Sequence, residues 1–174
     1  MGDSRRFDLF ARLILSRFPP ARYRRVADVA AGKGHLQMAL KEKGFEEVTS
    51  FDAGWRNAKR GQHRVINVSR AKKWLNHMRR NFGPEIQEEF DLLVGMHPDE
   101  ATDVVIVEAA RRQVPFVICP CCVKPCALPF LRNYKYADWI AHLTRSAERL
   151  GFEVSHGVLK MNGKNDVLVG VPRR

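Results

Sequence analysis

Residues 26–40 read VADVAAGKGHLQMAL, and no other stretch constrains the fold as strongly. An apolar run from Val26 to Ala30, interrupted by Asp28, has the look of a buried strand. Gly32 and Gly34 follow, and a helix is expected from about Lys33 to Lys43. Glycine adopts the left-handed backbone of a tight turn and lets main-chain N–H groups approach a ligand ahead of a helix N-terminus. A dinucleotide fingerprint would carry a third glycine where Gln37 stands, which weakens that reading. A strand–helix turn with no ligand is the plain alternative.

Around this turn the chain alternates between strand and helix periods. A first helix is expected over 4–18, stopped by Pro19-Pro20. Strands are expected at Arg25–Ala30, Glu47–Asp52, His63–Asn67, Phe90–Met96 and Pro115–Cys119. Helices are expected from Ser69 to Phe82, with Trp74, Leu75, Met78 and Phe82 on one face, and from Asp99 to Gln113. A further helix buries Trp139, Ile140, Leu143, Ala147 and Leu150. Two last strands, Phe152–Val158 and Asn165–Val171, flank Asn162-Gly163, a hairpin turn signal. Such alternation implies an α/β fold with a doubly wound, mostly parallel sheet of seven strands, a C-terminal antiparallel hairpin and an N-terminal helix. The 174 residues suit a single domain, with 1–20 packing on it. Ligands on these sheets bind outside the carboxyl ends of the strands, near the switch point.

Two acids narrow the ligand. Asp52 ends the second strand, where a carboxylate can accept hydrogen bonds from ribose hydroxyls. Asp28 precedes the turn, where it can face a cationic amino group. A ligand with a ribose and a free amino acid fits both, and S-adenosylmethionine is such a ligand. The run 28-DVAAGKG-34 resembles motif I of the Rossmann-like S-adenosylmethionine-dependent methyltransferases, with Ala30 in place of the first glycine. The resemblance implies that Asp28, Ala30, Gly32, Gly34 and Asp52 hold the cofactor, with Asn67 near the adenine. A second, narrower resemblance lies in 96-MHPDEATD-103 and 116-FVICPCCV-123. They look like the branch that contains the tRNA acceptor-stem 2′-O-methyltransferases and related Cys-Cys-containing domains, with Glu100 where that branch has glycine. This implies a methyltransferase acting on RNA, tRNA or rRNA. A small-molecule methyltransferase and a non-catalytic RNA- or protein-binding module of the same fold are the alternatives.

Methyl transfer needs positioning and, for many acceptors, a base. His97 follows the fourth strand and is the candidate base, with Asp103 or Asp99 to orient it; bracing of the loop is the bland alternative. Cys119, Cys121, Cys122 and Cys126 permit three readings. Neighbouring Cys121 and Cys122 are awkward together in one tetrahedral shell, so no metal is expected. A covalent nucleophile is possible. Small thiols that let a loop pack tightly carry most weight.

Charge supports a polyanionic acceptor. Residues 1–82 carry 19 Lys and Arg against 7 Asp and Glu, whereas residues 83–174 carry 11 against 12. No acid lies between Asp52 and Glu85. Arg56, Lys59, Arg60 and Arg64, with Arg132 beyond the Cys loop, are the candidate phosphate contacts. No run of about 18 apolar residues is present, and no signal-peptide core, so a cytoplasmic protein with reduced thiols is expected. A homodimer is possible.

Overall fold

The computed structural model describes residues 3–53, 76–129 and 135–173. Among them, helix α1 (Arg6–Arg17) precedes strand β1 (Arg25–Val29), helix α2 (His35–Glu42) and strand β2 (Glu47–Phe51). Strand β3 (His77–Met78) and strand β4 (Leu92–Met96) follow. A 3-10 turn, Asp99–Ala101, leads into α3 (Thr102–Arg112), then β5 (Phe116–Cys119), α4 (Tyr136–Arg149), β6 (Phe152–Val158) and β7 (Asp166–Pro172). The sheet order is β3-β2-β1-β4-β5-β7-β6. The first five strands are mutually parallel, and β7 runs antiparallel to both β5 and β6. This is the seven-stranded, doubly wound sheet with a terminal hairpin that the periodicity implied.

Strand alternation sends neighbouring residues to opposite faces, and each face has its own core. Val26, Leu92, Val94 and Val117 pack with α1 and α2, where Phe10, Ile14, Leu36 and Leu40 are buried. Ala27, Val29, Leu93 and Ile118 pack with α3 and α4, where Val105, Ile106 and Trp139 are buried. No helix among the described residues is long and apolar enough to cross a membrane.

The segment after β2 corrects the expectation. The predicted strand His63–Asn67 and the first half of the predicted helix Ser69–Phe82 lie outside the described residues. From Asn76 to Phe82, where the chain is described, there is no helix. His77 and Met78 pair with Ser50 and Phe51 instead. The reason is an open edge: the amides of Ser50 and Asp52 find their acceptors in the carbonyls of Asn76 and Met78, at 2.9 and 3.0 Å. Buried main-chain groups demand such partners, and this outweighs an apolar spacing that also fits a helix. Phe82 then packs edge-on against Phe51 and Phe90. Arg112 of α3 holds the segment down, stacking over Phe82 and donating to the carbonyls of Ile86 and Glu88 at 2.6 and 2.8 Å.

A buried polar chain ties β1, α2 and β2 together beneath the glycine turn. Ser50 Oγ lies 3.1 Å from Asp28 Oδ2 and 3.3 Å from Gln37 Oε1. Gln37 Nε2 donates to the carbonyls of Val48 and Asn76. One hydroxyl proton reaches only one of its two acceptors at a time, and a proton on Asp28 supplies the other bond. Burial indeed pushes the Asp28 carboxyl up to about 7; the Ser50 hydrogen bond opposes this, and the nearby charge of Asp52 adds to it.

Two outcomes follow from this packing. A Cβ at Gly170 of β7 would collide with the ring of Phe116, which is sealed in the core. Gly170→Ala is expected to cost about 1–3 kcal/mol in chemical denaturation. For Asp28, a raised folded-state pKa means that the native chain keeps a proton that the unfolded chain releases. Below about pH 4 both states hold it; as pH rises toward about 7, stability falls, and above that it levels off. Asp28→Asn is expected to flatten this decline and to be more stable than the wild type at about pH 8, by on the order of a few kcal/mol, when unfolding is followed across pH.

Candidate functional site

The sheet order reverses between β1 and β4, and a cleft of about 580 Å³ opens there at the carboxyl ends of the strands. Its size suits a small organic ligand. One wall is the glycine turn. Ala30, Gly32 and Gly34 all adopt left-handed backbone, with φ of 55°, 55° and 73°. A Cβ on Gly32 would meet no atom within 4 Å, so the turn leaves open space facing the cleft wall it builds. The turn is held in two ways. The Gly32 amide donates to Asp52 Oδ2 at 2.7 Å, and the Ala31 amide donates to the carbonyl of Phe51 at 3.1 Å. Ala30, Gly32 and Asp52 therefore share one cleft wall, and Gly34 begins α2 just behind it. Asp28 is sealed beneath the turn, 1% exposed, and does not reach the cleft surface.

The tail of β3 supplies residues that sequence reasoning missed. Arg80, Asn81 and Phe82 line the cleft beside Asp52. The only available signal, an apolar spacing, pointed to a helix there. Asn67, Arg56, Lys59, Arg60, Arg64 and Arg132 lie outside the described residues.

The opposite wall is the loop after β4. The main chain of His97 continues the sheet ladder, its amide donating to the carbonyl of Cys119 at 2.9 Å. Its ring nitrogen Nε2 lies 2.8 Å from the carbonyl oxygen of Lys164, in the β6–β7 connection. A carbonyl only accepts, so Nε2 carries the proton and, in the neutral ring, Nδ1 carries the lone pair. Burial lowers the His97 pKa below the ordinary value; the Lys164 bond opposes this, and the charge of Arg6 at the start of α1 adds to it. The imidazole is therefore neutral at physiological pH. Lys164 is itself fixed by its ammonium over the ring of Tyr136, at 3.7 Å.

Asp103 has another task than orienting His97. It is fully buried, and its Oδ2 accepts the amides of Cys126, Ala127 and Leu128, each at 2.8 Å. It thus anchors the loop that brings Cys126 to the cleft. Asp99 also departs from the expected helix cap. With φ of 52° it interrupts the helix start, and α3 begins only at Thr102. Its carboxylate accepts from the Cys122 thiol at 2.8 Å, from Lys124 Nζ at 3.2 Å and from the Cys121 thiol at 3.7 Å. All four cysteines are free thiols. Burial pushes the Cys119 thiol up to about 12 and raises those of Cys121 and Cys122 as well. None of these three is a poised nucleophile.

Four non-glycine residues among the described ones have left-handed backbone: Ala30, His97, Asp99 and Gln113. The first three line this cleft. Each such residue costs on the order of 1–3 kcal/mol and persists only where its surroundings impose it, a pattern concentrated at functional sites.

Comparison with known proteins agrees with this placement. A family model described as a methyltransferase domain matches residues 7–127. No curated protein matches the chain in sequence. Among solved structures, a glycopeptide N-methyltransferase in complex with S-adenosyl-L-methionine superposes with a TM-score of 0.63 at 16% identity, covering 96% of this chain and 94% of that one. A ribosomal protein L11 methylase from Lactobacillus delbrueckii subsp. bulgaricus gives 0.61 at 14%, covering 95% and 77%. The sugar N-methyltransferase KedS8 from Streptoalloteichus sp. gives 0.62 at 16%, covering 98% and 88%. At these identities the likeness is one of fold, while the family match spans more than half of the sequence and includes the glycine turn, Asp52 and the His97 loop. The chain belongs to the methyltransferase domain family and is a methyltransferase.

Proposed function

We propose that the chain methylates RNA, tRNA or rRNA, with His97 as the base. One observation carries the catalytic part: a neutral imidazole of defined tautomer lines the same cleft as the turn braced by Asp52. The cofactor fits the donor set. Asp52 would accept from its ribose hydroxyls at the end of β2. The open space over Gly32 admits a close approach, and Asp28, sealed beneath the turn, would act on the cationic amino group through its charge rather than by contact. Asn81, which follows β3 in the cleft, joins Asn67 as a candidate for the adenine edge. When bound, the cofactor supplies a methyl group activated by its sulfonium. His97 would take the acceptor's proton at Nδ1, while Lys164 holds the ring from the other side. The half-buried loop around it keeps the base out of bulk water.

Charge supports RNA as the acceptor. The excess of cations falls in residues 1–82, which also build the cofactor wall, and Arg80 lies in the cleft itself. Arg56, Lys59, Arg60, Arg64 and Arg132 are the proposed phosphate contacts.

Labelled-methyl transfer onto total RNA tests this reading. His97→Ala is expected to lower kcat by about 10²–10⁴-fold while S-adenosylmethionine affinity, measured calorimetrically, is retained. Asp52→Ala is expected to weaken cofactor binding by about ten- to a hundredfold, the worth of a charge-assisted hydrogen bond. Methyl incorporation into the small-molecule fraction alone would reject RNA as the acceptor. RNA affinity is expected to fall linearly in log–log form with salt, with a slope of about −3 or steeper, as four or more phosphate contacts require. Affinity indifferent to salt would count against the phosphate contacts.

A further inference from the structure

The strands β4 and β5 deliver two loops to the same rim of the cleft, and their side chains converge on one point. We propose that Asp99, Cys121 and Cys122 bind one thiophilic divalent cation, of the zinc class. The three donor atoms come from both loops. Cys121 Sγ and Cys122 Sγ lie 3.5 Å apart. Asp99 Oδ1 lies 3.7 Å from the first and 2.8 Å from the second. All three atoms fall within 4.8 Å of one another.

These spacings can be set against the ion's own geometry. A tetrahedral zinc with bonds of about 2.3 Å to sulfur and about 2.0–2.2 Å to oxygen separates two sulfurs by about 3.8 Å and a sulfur from an oxygen by about 3.6 Å. The sulfur pair and the Cys121–Asp99 pair already match to within about 0.3 Å. The Cys122–Asp99 pair is closer because a proton bridges it. Coordination removes that proton to solvent, together with the one on Cys121, and the two atoms separate. Asp99 is held by a left-handed backbone that gives up the start of α3, and this loop conformation accompanies its carboxylate's contact with the thiols. Lys124 Nζ, 3.2 Å from the same carboxylate oxygen, shows that a positive charge is accommodated at this point; its side chain is 42% exposed and has room to leave.

Three protein donors leave one position to water, the open arrangement of zinc. The ion would join the loop after β4 to the loop after β5. Since Asp99 lies two residues beyond His97, it would stiffen the wall that carries the base. The spacing of the cysteines alone hides this site, because its third donor comes from another strand end.

Cobalt titration of the full chain under reducing conditions, in the absence of cofactor, tests the proposal. One Co²⁺ per chain is expected, with thiolate-to-cobalt charge-transfer absorption and the intense visible bands of a four-coordinate ion, and Zn²⁺ is expected to displace it. Cys121→Ser and Cys122→Ser are each expected to remove most of the charge-transfer absorption. Asp99→Asn is expected to lower Co²⁺ affinity by about tenfold or more. Cys126→Ser is expected to leave the spectrum unchanged. Thermal unfolding confirms that each variant is folded. A folded wild type that shows no charge-transfer band, an Asp99→Asn titration with unchanged Co²⁺ affinity, or a band lost in Cys126→Ser would overturn the site. Cofactor binding to the metal-free chain is a separate isotherm, so the methyltransferase reading does not depend on this result.

Discussion

The hydrogen bond from the Gly32 amide to the Asp52 carboxylate is the contact on which the cleft depends. It joins the turn after β1 to the end of β2, and so extends the β1–β2 ladder one step past the last paired residues. The same residue reaches the other way: the Asp52 amide donates to the Met78 carbonyl and pins β3. One residue thus holds three strand ends in register. The turn with left-handed Ala30, Gly32 and Gly34 needs this outside support, because an alanine at φ of 55° does not choose that conformation by itself. A bound ribose would add hydrogen bonds to a carboxylate already committed in direction, which spares it the entropic cost of being ordered on binding.

Much of this architecture is legible in the residues. Parallel strands covered on both faces read as continuous apolar runs, and Leu92–Met96 and Phe116–Cys119 are buried throughout. The glycine turn and Asp52 announce themselves because both jobs demand a residue type. Other features stayed hidden for physical reasons. The two-residue β3 is too short to have a period, and it forms because β2 has an unpaired edge, a fact of tertiary structure. Asp103 sits in the first turn of α3 with a helix-cap signature, yet it serves three amides some two dozen positions away. Gln37, conspicuous in the sequence as a missing glycine, bridges α2 to β2 and to the residue before β3. A side chain that spans such a gap leaves no pattern in a single chain.

The departures from relaxed backbone collect at one place. A residue before proline prefers extended geometry, yet His97 precedes Pro98 with φ of 55°. Its ladder bond to Cys119 and its ring bond to Lys164 lock it from two directions. Asp99, two residues on, is held by Lys124 and two thiols. These bonds offset the strain, and the loop holds a fixed imidazole while α3 starts only at Thr102.

The electrostatics of the cleft then follow from burial more than from charge count. His97 favours its neutral form because partial burial penalises the cation and because Arg6 stands nearby. Asp28 titrates near physiological pH, at about 7, because it is buried under the turn with Asp52 as a neighbouring acid. A cationic ligand entering this cleft would meet Asp52 at its surface and a carboxyl below that ionises more readily once a positive charge is close. The strongly basic first half of the sequence would repel such a ligand if its charge were spread evenly, and Arg80 stands in the cleft, but Asp52, Asp99 and Glu100 line it too and offset that cation. Solvent screening shortens the reach of exposed cations, so a basic surface and an acid-lined cleft can coexist in one small chain.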